Sequence, residues 1–175
     1  MTLTFLSRFL KLGRAIVEDT RQQAGKHKIK QLFFELAGII VIRCALPVGD
    51  YQLAPKAAVD TKKDLIELAM DLKRDHARFR RECELAQRVG TQLYVLTENT
   101  DGVTCLADLF EWTESGDSFK KRNRRGKAVR YTGKSMAKAC ISLNESYGVK
   151  FGFCTPEQAG EKIVELLLQA EIGGE

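Results

Sequence analysis

A chain of 175 residues is the size of one domain and long enough to bury a core of its own. With 44% hydrophobic and 29% charged residues it is neither a disordered nor a membrane-embedded chain, and no run approaches the ~20 apolar residues of a membrane span. The formal charge of +5 suits an anionic partner without demanding one.

The opening MTLTFLSRFLKLG is short and mildly amphipathic and has no small-residue cleavage site, so residues 1–14 read as an N-terminal arm, not a signal peptide. Residues 15–19 form a short first strand with Asp19 at its end. A polar stretch broken by Gly25 follows; residues 29–36 then carry apolar side chains at helical spacing, and Gly38 stops that helix. Residues 39–44 are continuous and rich in β-branched side chains, as expected of a strand covered on both faces. Pro47 and Gly49 bend the chain before Asp50, and Pro55 lies in the turn of a hairpin whose second arm ends at Asp60, Thr61 and Lys62.

Residues 63–89 repeat apolar positions every three to four, giving one long helix or two joined near residues 74–76, closed by Gly90. It starts directly after Lys62, so its first amides are expected to face a bound anion. Residues 91–97 read as a buried strand, Glu98 to Gly102 as its exit loop with Glu98 solvated, and residues 105–112 as a short amphipathic helix.

The sharpest change in charge follows. Residues 119–134, FKKRNRRGKAVRYTGK, hold Lys120, Lys121, Arg122, Arg124, Arg125, Lys127, Arg130 and Lys134 without one acid, flanked by Phe119 and Tyr131. Most basic runs are solvated loops; this one interrupts a folded domain and is read as a DNA contact that neutralises phosphates and releases counterions. Ser135 is expected to cap the next helix, which Gly148 ends. Residues 149–154 form a strand, and Thr155-Pro156-Glu157 open the last helix. That helix shows Ile163, Val164, Leu166, Leu167 and Leu168, more apolar surface than one core-facing stripe needs. Strands alternating with helices imply one three-layer α/β domain with a mixed central sheet over residues 15–175.

Five scattered cysteines without metal-ligand spacing read as buried reduced thiols of a cytoplasmic protein. Neither His27 nor His76 has a partner at zinc spacing, and His76 reads as a helix-surface or packing residue.

The chemistry gathers in residues 48–65, VGDYQLAPKAAVDTKKDL. Residues two apart on a strand share a face, so Asp60 and Lys62 emerge side by side, with Asp50 across the hairpin. Two carboxylates and a lysine suit phosphodiester hydrolysis: hard oxygens hold Mg²⁺ through one or two carboxylates, and the cation acidifies a water and neutralises charge on the phosphate. The lysine positions that water or stabilises the phosphorane as a point charge. Alone, an Asp-x-Lys is more often a surface pair on a polar hairpin. Arg78, Arg81 and Glu82 recur on one side of the following helix, either facing phosphate or forming a solvated ladder.

The order Val17-Glu18-Asp19-Thr20-Arg21, Val48-Gly49-Asp50-Tyr51, Val59-Asp60-Thr61-Lys62, a long helix and Leu93-Tyr94-Val95-Leu96-Thr97-Glu98 resembles the XPF-type nuclease family over residues 15–169. These are structure-specific excision-repair endonucleases with a PD-(D/E)xK-like core, and DHARFRRECELAQ is similar to their compact bacterial and phage versions. The family's signature is Gly-Asp, a spacer, Glu-Arg-Lys and an acid four positions after the lysine. Gly49, Asp50 and Lys62 match, Asp60 replaces the glutamate and Thr61 the arginine. Ile66 stands where the trailing acid belongs, between Asp64 and Glu67, and Gln22 stands where a glutamate is usual after Asp19 and Arg21.

The resemblance implies a restriction-endonuclease-like α/β/α fold and a metal-dependent DNA endonuclease acting on branched or structured DNA. Asp50 and Asp60 would bind Mg²⁺ or Mn²⁺, with Asp19 as outer ligand or orienter, Lys62 at the water, and Asp64 or Glu67 for the displaced acid. Arg21 and the basic block, with Arg78 and Arg81, would hold the phosphate backbone. The C-terminal helix-strand-helix would pair two copies into a homodimer. The opposing reading is a non-catalytic, degenerate nuclease fold that grips DNA or serves as a scaffold, towards which Thr61 and Gln22 point; cleavage of RNA is a third.

Overall fold

The structure is a computed structural model that describes residues 15–22, 25, 27–53, 56–112 and 132–172. The described strands β1 (Ala15–Asp19), β2 (Ile40–Cys44), β3 (Tyr51–Leu53), β4 (Ala57–Lys62), β5 (Gln92–Glu98) and β6 (Lys150–Cys154) form one sheet in the order β2-β1-β3-β4-β5-β6. The pairs β1–β2, β4–β5 and β5–β6 are parallel, whereas β3 is antiparallel to both neighbours. Helix α1 (Lys28–Leu36) joins β1 to β2; α2 (Leu65–Lys73) and α3 (His76–Arg88) join β4 to β5. Between β5 and β6 lie α4 (Leu106–Glu111) and α5 (Gly133–Tyr147), and α6 (Ala159–Ile172) follows a 3₁₀ turn at Pro156–Gln158.

Alternation along each strand divides the core in two. Ala58, Leu93 and Val95 pack beneath α2, α3 and α5 with Leu65, Leu68, Phe79, Cys83 and Met136. Ala57, Val59, Tyr94 and Leu96 face the other way, against Phe34 of α1 and Ile163 and Leu167 of α6. Helices on both faces leave β4 buried throughout and β5 buried from its second residue. This is the mixed-sheet, three-layer α/β architecture that the alternating pattern predicts.

Four expectations are corrected or narrowed. Residues 63–89 are two helices, the break falling between Lys73 and His76. β2 is not covered on both faces: it is the edge strand of the described sheet, pairs only with β1, and leaves Ile40 and Ile42 more than half exposed. Thr132, not Ser135, caps α5, its side chain accepting the Ser135 N–H at 3.2 Å. Gly133, read as part of the basic loop, is therefore already in the helix, and there a Cβ would lie 2.0 Å from the Leu109 carbonyl oxygen. On α6, Ile163, Val164, Leu167 and Leu168 are buried in the chain's own core, and Leu166 is half-buried. Pro55, residues 1–14 and residues 119–131, Gly126 among them, lie outside the described residues.

Candidate active site

β1 and β4 both run antiparallel to β3, so their C-terminal ends and the start of β3 share one edge of the sheet. That edge is where open α/β sheets bind ligands. Gly49 makes the approach possible: its φ of +71° suits glycine, and a Cβ there would meet the Val59 carbonyl oxygen at 3.1 Å. The Asp50 N–H donates to Val59 O at 2.9 Å, and the Asp19 N–H to Asp50 O at 2.8 Å. Asp19, Asp50 and Asp60 thus stand on three neighbouring strand ends. They line a cleft of about 410 Å³ together with Arg21, Gln22, Pro47, Gly49, Arg78, Arg81, Glu82 and Leu85.

Each carboxylate is held differently. Asp19 accepts the Arg21 backbone N–H at 2.9 Å and Nε–H at 2.7 Å, and Arg21 Nη2 also reaches Asp19 and donates to Leu46 O at 2.7 Å. Burial pushes the Asp19 carboxyl up, but the hydrogen bonds and charge of Arg21 outweigh it and hold it below the ordinary aspartate value. Asp50 Oδ2 accepts both the N–H of Thr61 at 2.7 Å and its hydroxyl at 2.5 Å. Glu82 accepts the Gly49 N–H at 3.1 Å, fixing the bend before Asp50 from the α3 side.

Asp60 and Lys62 do emerge together: Lys62 Nζ lies 2.6 Å from Asp60 Oδ2. It lies equally 2.6 Å from Oδ2 of Asp71 on α2, and 5.4 Å above the Phe79 ring. Arg78 donates to the other Asp71 oxygen at 2.8 Å. Burial disfavours the Lys62 ammonium, yet Asp60 and Asp71 together hold it more firmly protonated than an ordinary lysine. Burial, with Asp50 and Glu82 nearby, raises the Asp60 carboxyl, and Lys62 opposes that rise.

Asp64 and Glu67 turn away from this cleft. Asp64 is the N-cap of α2 and accepts the Glu67 N–H at 2.7 Å, while Glu67 accepts the Lys63 N–H at 2.8 Å. These carboxylates occupy amides that the sequence reading assigned to a bound anion. Arg78 and Arg81 face the cleft, and the exposed ladder pair of α3 is Arg80–Glu84 at 2.9 Å. Lys120, Lys121, Arg122, Arg124, Arg125, Lys127 and Arg130 lie outside the described residues.

Sequence reasoning missed Asp71 and gave Glu82 no place among the acids. It also left Glu98 as a solvated loop acid, whereas Glu98 ends β5 and is buried in an ion pair with Lys30 of α1. The signal for Asp71 and Lys30 was a charge within an apolar stripe, Asp71 among Leu68, Ala69 and Leu72, and Lys30 one turn from Phe34.

The donor set fits a hard divalent cation of the Mg²⁺ kind. No group of three or more acidic, histidine or cysteine side chains among the described residues stands ready to cage a metal. Mg²⁺ needs none, being held by one or two carboxylates with waters and substrate oxygens. Asp50 and Asp60 line the same cleft, and among the described residues no hydrogen bond goes to Asp50 Oδ1.

No protein-family model and no curated protein matches the chain. Among solved structures, XPF from Aeropyrum pernix in complex with DNA superposes with a TM-score of 0.61 at 18% identity, covering 91% of this chain and 66% of that one. A second structure of XPF from Aeropyrum pernix gives a TM-score of 0.61 at 16% identity, covering 90% of this chain and 65% of that one. The chain thus spans about two thirds of the length of these structures. Strand order, layers and superposition agree: this chain has the XPF-type nuclease fold, a restriction-endonuclease-like α/β/α domain.

Proposed function

We propose that the chain is a metal-dependent endonuclease that hydrolyses DNA phosphodiester bonds, on branched or structured substrates. The observation that carries this reading is the convergence of Asp50 and Asp60 in one cleft walled by Arg21, Arg78 and Arg81, with the buried Lys62 paired to Asp60 behind it. That a neighbour of the same fold was solved with DNA supports nucleic acid as the partner.

Asp50 and Asp60 would hold Mg²⁺ or Mn²⁺, with Asp19 orienting the set. The cation would supply acidification of the attacking water and charge neutralisation on the phosphate. Thr61 fixes Asp50 through two hydrogen bonds to one oxygen. Lys62, kept protonated by its two aspartates, would position the attacking water or set a positive charge against the negative charge that develops on the phosphate. Arg21, Arg78 and Arg81 offer cations to the strand's phosphates at the cleft mouth. The charge of residues 119–134 supports the same partner from the sequence side. A homodimer through α5, β6 and α6 belongs to this reading, with exposed Ile141 and half-buried Leu166 as apolar positions for it.

The second reading, a DNA-gripping scaffold that does not cut, draws on Thr61 and Gln22 in place of the family's arginine and glutamate. Labelled branched, duplex and single-stranded DNA and single-stranded RNA, incubated with Mg²⁺ or Mn²⁺, separate the two. Cleavage is expected from the wild type, with a loss of about 10²-fold or more in Asp50→Asn and Lys62→Met while DNA affinity persists. Tight binding without cutting under either metal sinks the nuclease and leaves the scaffold.

A further inference from the structure

Lys62 sits between two carboxylates, although one would neutralise its charge. Asp60 and Asp71 lie at the same 2.6 Å from Nζ, and all three residues are at least nine-tenths buried. Asp60 comes from the same strand as the lysine, whereas Asp71 reaches in from α2. Arg78, exposed at the cleft mouth, is the second partner of Asp71, so Asp71 is bonded to a cation whichever way Lys62 leans. An ammonium on a flexible four-carbon stem moves easily between acceptors. A divalent cation on Asp60 would set two like charges side by side; Asp71 gives the lysine somewhere to go.

We propose that Asp71 is a positioning residue for Lys62: when a divalent cation occupies Asp60, Asp71 takes the lysine, which releases the Asp60 carboxylate and keeps the ammonium buried next to the cleft. This rests on the reading of Asp60 as a metal ligand. It gives α2 a part in the site that neither Asp64 nor Glu67 fills.

The test is a double-mutant cycle on Mn²⁺ affinity, read by electron paramagnetic resonance titration without any DNA, using wild type, Asp71→Asn, Lys62→Met and the double variant. In Asp71→Asn the lysine has only Asp60, so Mn²⁺ affinity is expected to fall about tenfold; in the Lys62→Met background the same change should matter less than about twofold. Equal losses in both backgrounds overturn the proposal, because Asp71 would then act through its own charge. Asp60→Asn separates the two levels: if it leaves Mn²⁺ binding unchanged, Asp60 is no ligand and both readings fall. If it removes binding while the cycle is additive, only the role of Asp71 falls. A wild-type crystal soaked in Mn²⁺ gives a second answer that needs no variant to fold. Lys62 Nζ should have left Asp60 and stayed on Asp71; a lysine still on Asp60 beside bound Mn²⁺ overturns the proposal.

Discussion

Asp50 receives the backbone N–H and the hydroxyl of Thr61 on a single oxygen, Oδ2. The bond pair ties the residue before β3 to the penultimate residue of β4 and fixes the Asp50 carboxylate at the cleft it shares with Asp60. Threonine at this position acts as a neutral donor, where the resembling family has a cation. Thr61→Val keeps the shape and the N–H but removes the hydroxyl. A loss of about 1 kcal/mol in urea unfolding is expected, since one of two bonds to a partly buried carboxylate disappears. Mn²⁺ affinity should weaken without vanishing, because the N–H still holds Asp50. An unchanged unfolding midpoint together with unchanged Mn²⁺ affinity sinks the idea that this hydroxyl orients the ligand.

Asp19 provides a pH-dependent check on the neighbouring strand end. Its carboxyl lies below the ordinary 3.8 because Arg21 outweighs the effect of burial. A carboxyl with a depressed folded value binds fewer protons folded than unfolded, so its stabilisation is complete above 3.8 and fades as pH falls through the folded value. The Arg21 side chain is 70% exposed, so solvent screens the pair and the effect is modest. Asp19→Asn should unfold at lower urea than wild type at neutral pH, and the gap should close on acidification below 3.8. A gap that stays constant into acid would show that Asp19 stabilises by shape alone.

The pair Asp60–Lys62 was legible because a period of two is a rigid consequence of strand geometry, and Asp50 followed from hairpin pairing. Helix and strand positions were legible wherever apolar periodicity ran unbroken, as in β4, β5 and α6. β2 was misjudged because IVIRC reads alike in a central and an edge strand; which of them a strand is depends on sheet order, a non-local property. The displaced acid was sought near the fourth position after Lys62, but Asp64 and Glu67 are three apart at a helix start, the spacing of a cap. Asp71 meets Lys62 only because α2 folds back over β4, a relation no local window contains. Ser135 lost the cap to Thr132 because α5 starts at Gly133, where the close approach of α4 excludes a side chain.

Lys30 and Glu98 form the other buried charge pair that sequence reading missed, on the α1 face of the sheet away from Lys62. Lys30 is 4% exposed and shares its side of α1 with Phe34, and Glu98 closes β5 beside Cys154 of β6. Neither charge can reach bulk water if its partner goes. Lys30→Met should therefore cost about 3–5 kcal/mol in urea unfolding, because it strands a buried carboxylate. Adding Glu98→Leu removes the stranded charge and should restore most of that loss, since a buried ion pair is worth little more than well-packed apolar groups. Comparing the two unfolding curves decides the matter. If the double variant is as unstable as Lys30→Met alone, the damage comes from lost packing around α1, and the pair is not what holds α1 against the end of β5.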